Sequence, residues 1–420
     1  MKRSFLFVLA LFIGQIVFSQ QRSAYELISE NPDRAACNMH SYEFPDYIDT
    51  RVPRGFKPVY ISHYGRHGSR YDVSSSMSNL AISSLQHIDS LGQLTHQGKQ
   101  LLKALQTIAC EHEGMAGELA PRGGREQSRL AARMAERYPR VFRSGGEVRA
   151  VASTVGRCLV SMACFTTALG QAFPSLEFHL TSGDRYAPVI RLSPSAKPLA
   201  VGPKTGPKQQ HNETRHAQPL QGNFSAFLSS VFVKPDVLGD DSDDFIRSVY
   251  RAGGICQDLD FLGIDVFRSF FTTDELYSLW CEENDAIYRR WGNSLEDGAR
   301  IARQALPLLR DIVIRADQSL AQGSSTVVDL RFGHDMGYLA LCALLGIDQC
   351  YPSSEAHLHW YSFQTVPMCA NVQFIFYRNN RGEVIFKVLR GEQEVLLPSI
   401  RPFSAPYYRW DDFKTHFNMN

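Results

Sequence analysis

Neither sign of charge is in excess in this chain of 420 residues, where 44 Lys and Arg stand against 43 Asp and Glu. A net charge of +1 removes the whole-chain argument for nucleic-acid binding and leaves only a local basic pocket open. The nine cysteines form no C-x-x-C pair, so the usual zinc and redox motifs are missing. Being odd in number, they leave at least one thiol unpaired in a monomer, although their abundance fits an oxidising compartment. There is no Walker loop, no G-x-S-x-G elbow, no internal repeat and no low-complexity tract. Past residue 18 no apolar run is long enough to cross a bilayer. What is left is ordinary globular composition, 44% hydrophobic and 21% charged, in a chain long enough for a sizeable core.

The one long apolar run opens the chain. Lys2 and Arg3 precede residues 5–18, and Val17 and Ser19 stand at small-residue cleavage spacing before Gln20. Residues 1–19 read as a secretory signal peptide, which makes the mature protein exported, periplasmic or extracellular, with no membrane span.

Three later segments share one pattern of short β-branched strand, polar loop and helix. They are 59–61 entering 62–71, 148–151 entering Ser153-Thr154 and a helix with Arg157, and 327–330 entering 333–337 and an apolar helix over 338–345 stopped by Gly346. This repetition predicts an α/β fold whose mostly parallel sheet is flanked by helices. Ligands of such sheets sit beyond the carboxyl ends of the strands, where all three loops fall. Residues 372–377 and 384–389 flank a turn and predict a hairpin. Between the second and third segments, residues 185–216 hold six basic residues, one acid and five prolines, a long basic loop. The acidic run 240–244 reads as a solvated helix start; helices are predicted from Thr273 and over 297–320. The expected organisation is a catalytic domain of 20–184 and 301–420, with 185–300 inserted as the basic loop plus a mainly helical cap.

The chemistry concentrates in His63-Tyr64-Gly65-Arg66-His67-Gly68-Ser69-Arg70, which contains R-H-G-x-R. Two guanidinium groups can each fork onto two phosphate oxygens and withdraw charge from phosphorus. The imidazole between them can attack in line and form a phosphohistidine, splitting one hard hydrolysis into two steps. Gly65 and Gly68 are expected to let the backbone approach the ligand, and His67 to sit on a loop rather than in the core.

This segment resembles the signature of the histidine phosphatase superfamily, in particular the histidine acid phosphatase branch with its phytases and multiple inositol polyphosphate phosphatases. Leu94-Thr95-His96-Gln97-Gly98 and Leu119-Ala120-Pro121-Arg122-Gly123 are similar to that branch's paired L-T-x-x-G segments, the second with Ala120 in place of Thr. Ser153-Thr154-Val155-Gly156-Arg157 resembles the stretch that supplies a third phosphate-binding arginine, and Phe332-Gly333-His334-Asp335 the second histidine with its proton donor. The resemblance implies His67 as nucleophile, with Arg66, Arg70, Arg157 and His334 binding the phosphoryl group. It implies that Asp335 protonates the leaving oxygen and then activates water, with no metal and no cofactor. A carboxyl beside a phosphate site suits that role on chemical grounds too, with its pKa expected to be raised by burial and held in check by the arginines. Asp335 also reads as the N-cap of the helix over 338–345.

Departures from the pattern bear on substrate. Many bacterial phytases read His-Asp-Thr-Asn where this chain reads His334-Asp335-Met336-Gly337, and the inositol polyphosphate phosphatases usually read His-Ala-Glu. Residues 366–374 and 394–398 nevertheless resemble the latter. The expectation is an exported phosphomonoesterase acting on a phosphorylated small molecule, inositol polyphosphates such as phytate foremost. The alternatives are a broad acid or sugar-phosphate phosphatase, and a phosphate-ligand binder without catalysis. No nucleic-acid partner is expected, and oligomeric state is not readable. Lys204 and Lys208, at the Gly-Pro-rich tip of the basic loop, are candidates for holding phosphates that are not being cleaved. His357 and His359 read as ordinary histidines rather than metal ligands.

Overall fold

The computed structural model describes residues 22–74, 76–191 and 219–419. The leader lies outside them, as do Lys197, Lys204, Lys208, His211, Arg215 and His216 of the basic loop.

Eight strands form one sheet: β1 (Lys57–Arg66), β2 (Gly146–Ala152), β3 (Leu176–Ser182), β4 (Thr326–Gly333), β5 (Asn371–Arg378), β6 (Val384–Arg390), β7 (Gln393–Val395) and β8 (Tyr408–Arg409). Their order is β3-β2-β4-β1-β5-β6-β7, with β8 paired to β6 off this path. The four strands from β3 to β1 run parallel, whereas β5 lies antiparallel to β1 and opens the expected hairpin with β6. β1 is much longer than 59–61. Its pairing with β4 continues to Arg66, so the strand reaches the first arginine of R-H-G-x-R. A ladder on both sides satisfies those backbone groups, which sequence cannot see.

Side chains alternate across β1. Ile61 faces α3 (Pro121–Arg137) and α4 (Gly156–Ala172), in a core with Leu130, Met134, Phe165 and Leu169. Tyr60 and Tyr64 face the opposite side, in a core that continues into the helical layer. That layer holds α1 (Ser76–Ser90), α2 (His96–His112), α5 (Ser242–Gly254) and α6 (Thr273–Trp291), with Leu85, Leu105, Phe245 and Trp280 buried between them. It therefore draws on residues before 185 as well as on the expected insertion. The acidic run leads into α5, and α6 begins with a capping box in which Thr272 Oγ1 accepts from Glu275 N and Glu275 accepts from Thr272 N at 2.8 Å. The single helix expected over 297–320 is two, Gly298–Gln304 and α7 (Leu306–Leu320), because Pro307 near the start of α7 cannot donate back to the preceding turn.

α8 (Asp335–Leu345) follows β4 after one residue and ends at Gly346, whose φ of 67° is the left-handed cap that glycine adopts without strain. His334, not Asp335, is its N-cap; Asp335 is the first helical residue, and its Oδ1 accepts from Met336 N at 3.0 Å. Gly337 in the first turn has a steric reason. A methyl there would meet the buried Tyr64 hydroxyl at 2.0 Å, and that hydroxyl donates to the Ile190 carbonyl at 3.1 Å. The unfamiliar Met336-Gly337 pair thus matches a tyrosine on the adjoining strand.

Candidate active site

The carboxyl ends of β1, β2 and β4 deliver their loops to one place. Arg66 closes β1, Ser153 follows β2, and His334 follows β4. The strip before β5 forms the wall: Ala370 O accepts from Arg66 N at 2.8 Å, and Cys369 N donates to His67 O at 3.0 Å.

His67 is buried, at 2% exposure, rather than on an open loop. Its Nδ1 lies 2.9 Å from the Gly68 carbonyl, which can only accept. Nδ1 therefore carries the proton and Nε2 keeps its lone pair. Burial, followed by the charges of Arg66, Arg157, His334 and Arg70, holds the ring well below the usual histidine range, so it stays neutral in acid. A neutral imidazole among arginines is a nucleophile prepared for an anionic phosphorus centre.

The three arginines are placed by backbone carbonyls. Arg66 Nη1 donates to Asn38 O and to Val366 O, the latter at 2.8 Å; Arg70 Nη1 donates to Tyr71 O at 2.9 Å; Arg157 Nη1 donates to Gly117 O at 3.0 Å. Carbonyls fix the guanidinium groups without neutralising them. Burial and then the neighbouring arginines push Arg66 and Arg157 below the usual arginine value. The buried Nε atoms of both have no hydrogen-bond partner. Concentrated positive charge with unused donors is a site for a dianion. Arg157 also stands in the first turn of α4, whose N-terminus favours negative charge.

His334 Nε2 lies 3.0 Å from Ser153 Oγ, and its ring faces that of His67 with centroids 5.6 Å apart. Burial and then Arg157 push it down to about 4. Asp335 Oδ2 lies 3.2 Å from Arg66 Nη2. The expectation of a raised carboxyl is corrected here. Burial does raise it, but Arg66, His334 and Arg70 outweigh burial, and Asp335 lies below its ordinary value.

Gly68 is also explained differently from expectation. An added Cβ would strike the backbone of Gly123 at 2.6 Å, so this glycine lets the R-H-G-x-R loop press on the first turn of α3. In the first L-T-x-x-G segment, Thr95 Oγ1 caps α2 by accepting from Gly98 N at 3.0 Å. Ala120 cannot do this for α3; its own N–H donates to Ser69 O at 2.9 Å, joining that helix start to the loop instead.

So the structure brings together His67, Arg66, Arg70, Arg157, His334 and Asp335. Lys204 and Lys208 lie outside the described residues. His357 pairs with Asp285 at 2.9 Å and His359 stacks on Tyr351. Among the described residues no group of three or more His, Cys, Asp or Glu is arranged to hold a metal ion. All nine cysteines are free thiols.

Several buried groups behind the loop had no signal in the sequence. Glu126 on α3 accepts from Ser69 N and Ser69 Oγ, both at 2.9 Å. Gln127 Nε2 donates to Arg66 O at 3.0 Å. Asp258, fully buried, accepts from Ser41 Oγ at 3.0 Å and faces Arg70 N at 3.4 Å. Burial, with Glu126 adding its negative charge, pushes Asp258 from 3.8 up to about 7. Between those values the unfolded chain has lost a proton that the folded protein keeps. The stabilisation from Asp258 is thus complete below its unfolded pKa and is lost as pH rises through about 7. Asp258→Asn should therefore gain thermal stability relative to the parent between about pH 4.5 and about pH 7.5. A melting-temperature difference that stays flat across this window would contradict the raised carboxyl of Asp258.

Comparison with known proteins follows from this geometry. No family model matches the chain. Multiple inositol polyphosphate phosphatase 1 of Gallus gallus is 23% identical over 388 residues, covering 84% of this chain and 80% of that protein. The apo form of the Bifidobacterium longum multiple inositol polyphosphate phosphatase superposes with a TM-score of 0.74 at 18% identity, over 91% of this chain and 97% of that one. Its complex with inositol hexasulfate gives 0.68 with the same identity and coverage. The phytase from D. castellii gives 0.65 at 13% identity, over 96% of this chain and 87% of that one.

This is the fold of the histidine acid phosphatases. The likeness extends over nearly the whole described chain, including the helical layer. The family resemblance carried by R-H-G-x-R is thus met by the similarity to inositol polyphosphate phosphatases and phytases.

Proposed function

We propose that the protein is a phosphomonoesterase of the histidine acid phosphatase type, acting on inositol polyphosphates through a phosphohistidine at His67. The observation that carries the reading is a neutral, buried His67 with a free Nε2 among three carbonyl-anchored arginines, one of which, Arg66, pairs with Asp335. Arg66, Arg70, Arg157 and His334 bind the phosphoryl group. His67 Nε2 forms a bond to phosphorus as the P–O bond to the alcohol breaks, and Asp335 gives its proton to the leaving oxygen. Asp335, now ionised, takes a proton from water as that water attacks phosphorus and frees His67.

An Asp335 held ionised by its arginines needs a source for the first proton. Bound phosphate supplies the conditions: its negative charge offsets the arginines that hold the carboxyl down, and a monoanionic ester brings the proton itself. The alkaline limit should then follow the second ionisation of the phosphate, near about pH 6.

The substrate class rests on the relatives. One is named an inositol polyphosphate phosphatase, and another is described in complex with inositol hexasulfate, a ring with the same number of anionic groups as phytate. Rates on phytate, glucose 1-phosphate and 4-nitrophenyl phosphate test it. We expect kcat/KM for phytate to exceed the other two by roughly tenfold or more, one added ionic contact being enough for that ratio. A flat profile would favour the broad acid phosphatase, and no hydrolysis of any ester the non-catalytic binder. We further propose export, supported by the leader at 1–19. A mature protein recovered outside the cytoplasm and beginning at Gln20 is the expected finding; an intact Met1 would contradict it.

A further inference from the structure

The sequence around residue 38 carries no motif, yet it reaches the two groups that must cooperate in the first chemical step. Asn38 Nδ2 lies 3.0 Å from Asp335 Oδ2. A carboxylate oxygen only accepts, so the amide nitrogen faces it. The Asn38 carbonyl accepts from Arg66 Nη1, while Arg66 Nη2 pairs with that same Oδ2. One residue therefore holds both the proton donor and a phosphate-binding arginine. The other carboxylate oxygen, Oδ1, is tied to the first turn of α8.

The backbone leading into Asn38 is strained. Cys37 has φ 56° and ψ −125°, in a region that residues with a Cβ rarely adopt. The surroundings impose it: the Cys37 thiol is buried against Trp280 O and the Tyr250 hydroxyl, and that hydroxyl donates to Ala35 O. Met39 packs on Gly254 of α5, where an added Cβ would meet its methyl at 2.9 Å, and His40 O accepts from Met368 N at 2.8 Å. Strain maintained by packing on several sides accumulates where placement of one side chain matters.

We propose that Asn38 is a positioning residue for proton transfer, holding Asp335 Oδ2 toward the scissile oxygen. This rests on the phosphatase reading above. In the ionised carboxylate both Asn38 and Arg66 bear on Oδ2; once Arg66 engages a phosphate oxygen, the Asn38 N–H keeps one lone pair of Oδ2 and the other takes the travelling proton. In the first step Asp335 loses that proton to the leaving alkoxide oxygen as the P–O bond breaks; in the second it takes one from the attacking water. Asn38 itself neither gains nor loses a proton. The charged and titratable groups facing Asp335 are Arg66, Arg70, Arg157, His334, Cys158 and Tyr64. Asn38 is the neutral donor among them, so its loss weakens the hold on the ionised carboxylate without altering net charge.

Two variants test this. Asn38→Ala removes the donor, and Asn38→Leu removes it while keeping the branched shape; neither changes the charge, and both keep the backbone carbonyl for Arg66. Single-turnover alcohol release is measured on glycerol 2-phosphate, whose leaving group needs a proton, and on 4-nitrophenyl phosphate, whose leaving group needs little help. Both variants should lose roughly tenfold on the alkyl ester and under about twofold on the aryl ester. Inhibition by inorganic phosphate should stay within about twofold. The alkaline limb of kcat/KM, set by the second ionisation of the free ester, should stay in place, while that of the single-turnover rate at saturation, set by the proton Asp335 holds in the complex, should move up by about half a unit to one unit. Equal losses on the two esters with an unmoved single-turnover limb would overturn the proposal and leave Asn38 a structural residue, as would full activity on both. A parent protein that hydrolyses neither of these esters nor phytate would instead sink the phosphatase reading itself, a result no Asn38 variant can mimic.

Discussion

His67→Ala should lose roughly 10⁴-fold or more in turnover on any ester, because no other side chain at this site can take over the attack on phosphorus. The expectation from sequence was that the fold would be spared because the residue lies on a loop. The structure supplies a different reason. His67 is buried, yet its ring makes a single hydrogen bond, to the carbonyl of the next residue, and it is disfavoured by four positive neighbours whenever it protonates. Removing it leaves a small polar space beside the arginines rather than a collapsed core. Rate and melting temperature measured on one preparation check this. Near-parental turnover would contradict the nucleophile; a large fall in melting temperature would contradict only the account of its packing.

Asp335→Asn is the second large effect, and it should divide substrates. An asparagine cannot donate a proton to an alkoxide, so alkyl phosphates, phytate included, should lose roughly 10²- to 10⁴-fold. An aryl phosphate should lose far less in the phosphorylation step. For the parent on alkyl esters, activity should decline above about pH 6, as the phosphate dianion no longer carries the proton that Asp335 must use. The lowered carboxyl of Asp335 gives the sign: the arginines keep it ionised, so raising the pH removes the proton from the substrate. Equal losses on both ester types would take Asp335 out of the donor role.

Much of this site was legible because it is local. His67, Arg66 and Arg70 lie within five consecutive residues, and His334 and Asp335 are neighbours, so one strand-loop segment and one helix start announce them. The parallel half of the sheet was legible for the same reason, since strand, loop and helix follow one another along the chain. What escaped was assembled across the fold. Asn38 meets Asp335 over a separation of 297 residues, and Asp258 meets Arg70 over 188. Single polar residues in unremarked segments carry no periodicity. The electrostatics escaped in part as well: that burial would raise Asp335 was readable, but that three cations would outweigh burial depended on distances. The same holds for Gly68, whose close contact with Gly123 joins segments 55 residues apart.

The measurement that bears most directly on the central claim is to trap the intermediate. Wild-type protein turning over phytate or 4-nitrophenyl phosphate is quenched in alkali, which spares the acid-labile phosphoramidate bond, and its peptides are weighed. The account predicts one phosphoryl group on the peptide containing His67, present during turnover, lost on acid treatment, and absent from His67→Ala. A phosphoryl group that is acid-stable or sits on another residue would contradict it, as would turnover in which rapid quenching finds no phosphorylated protein at any time.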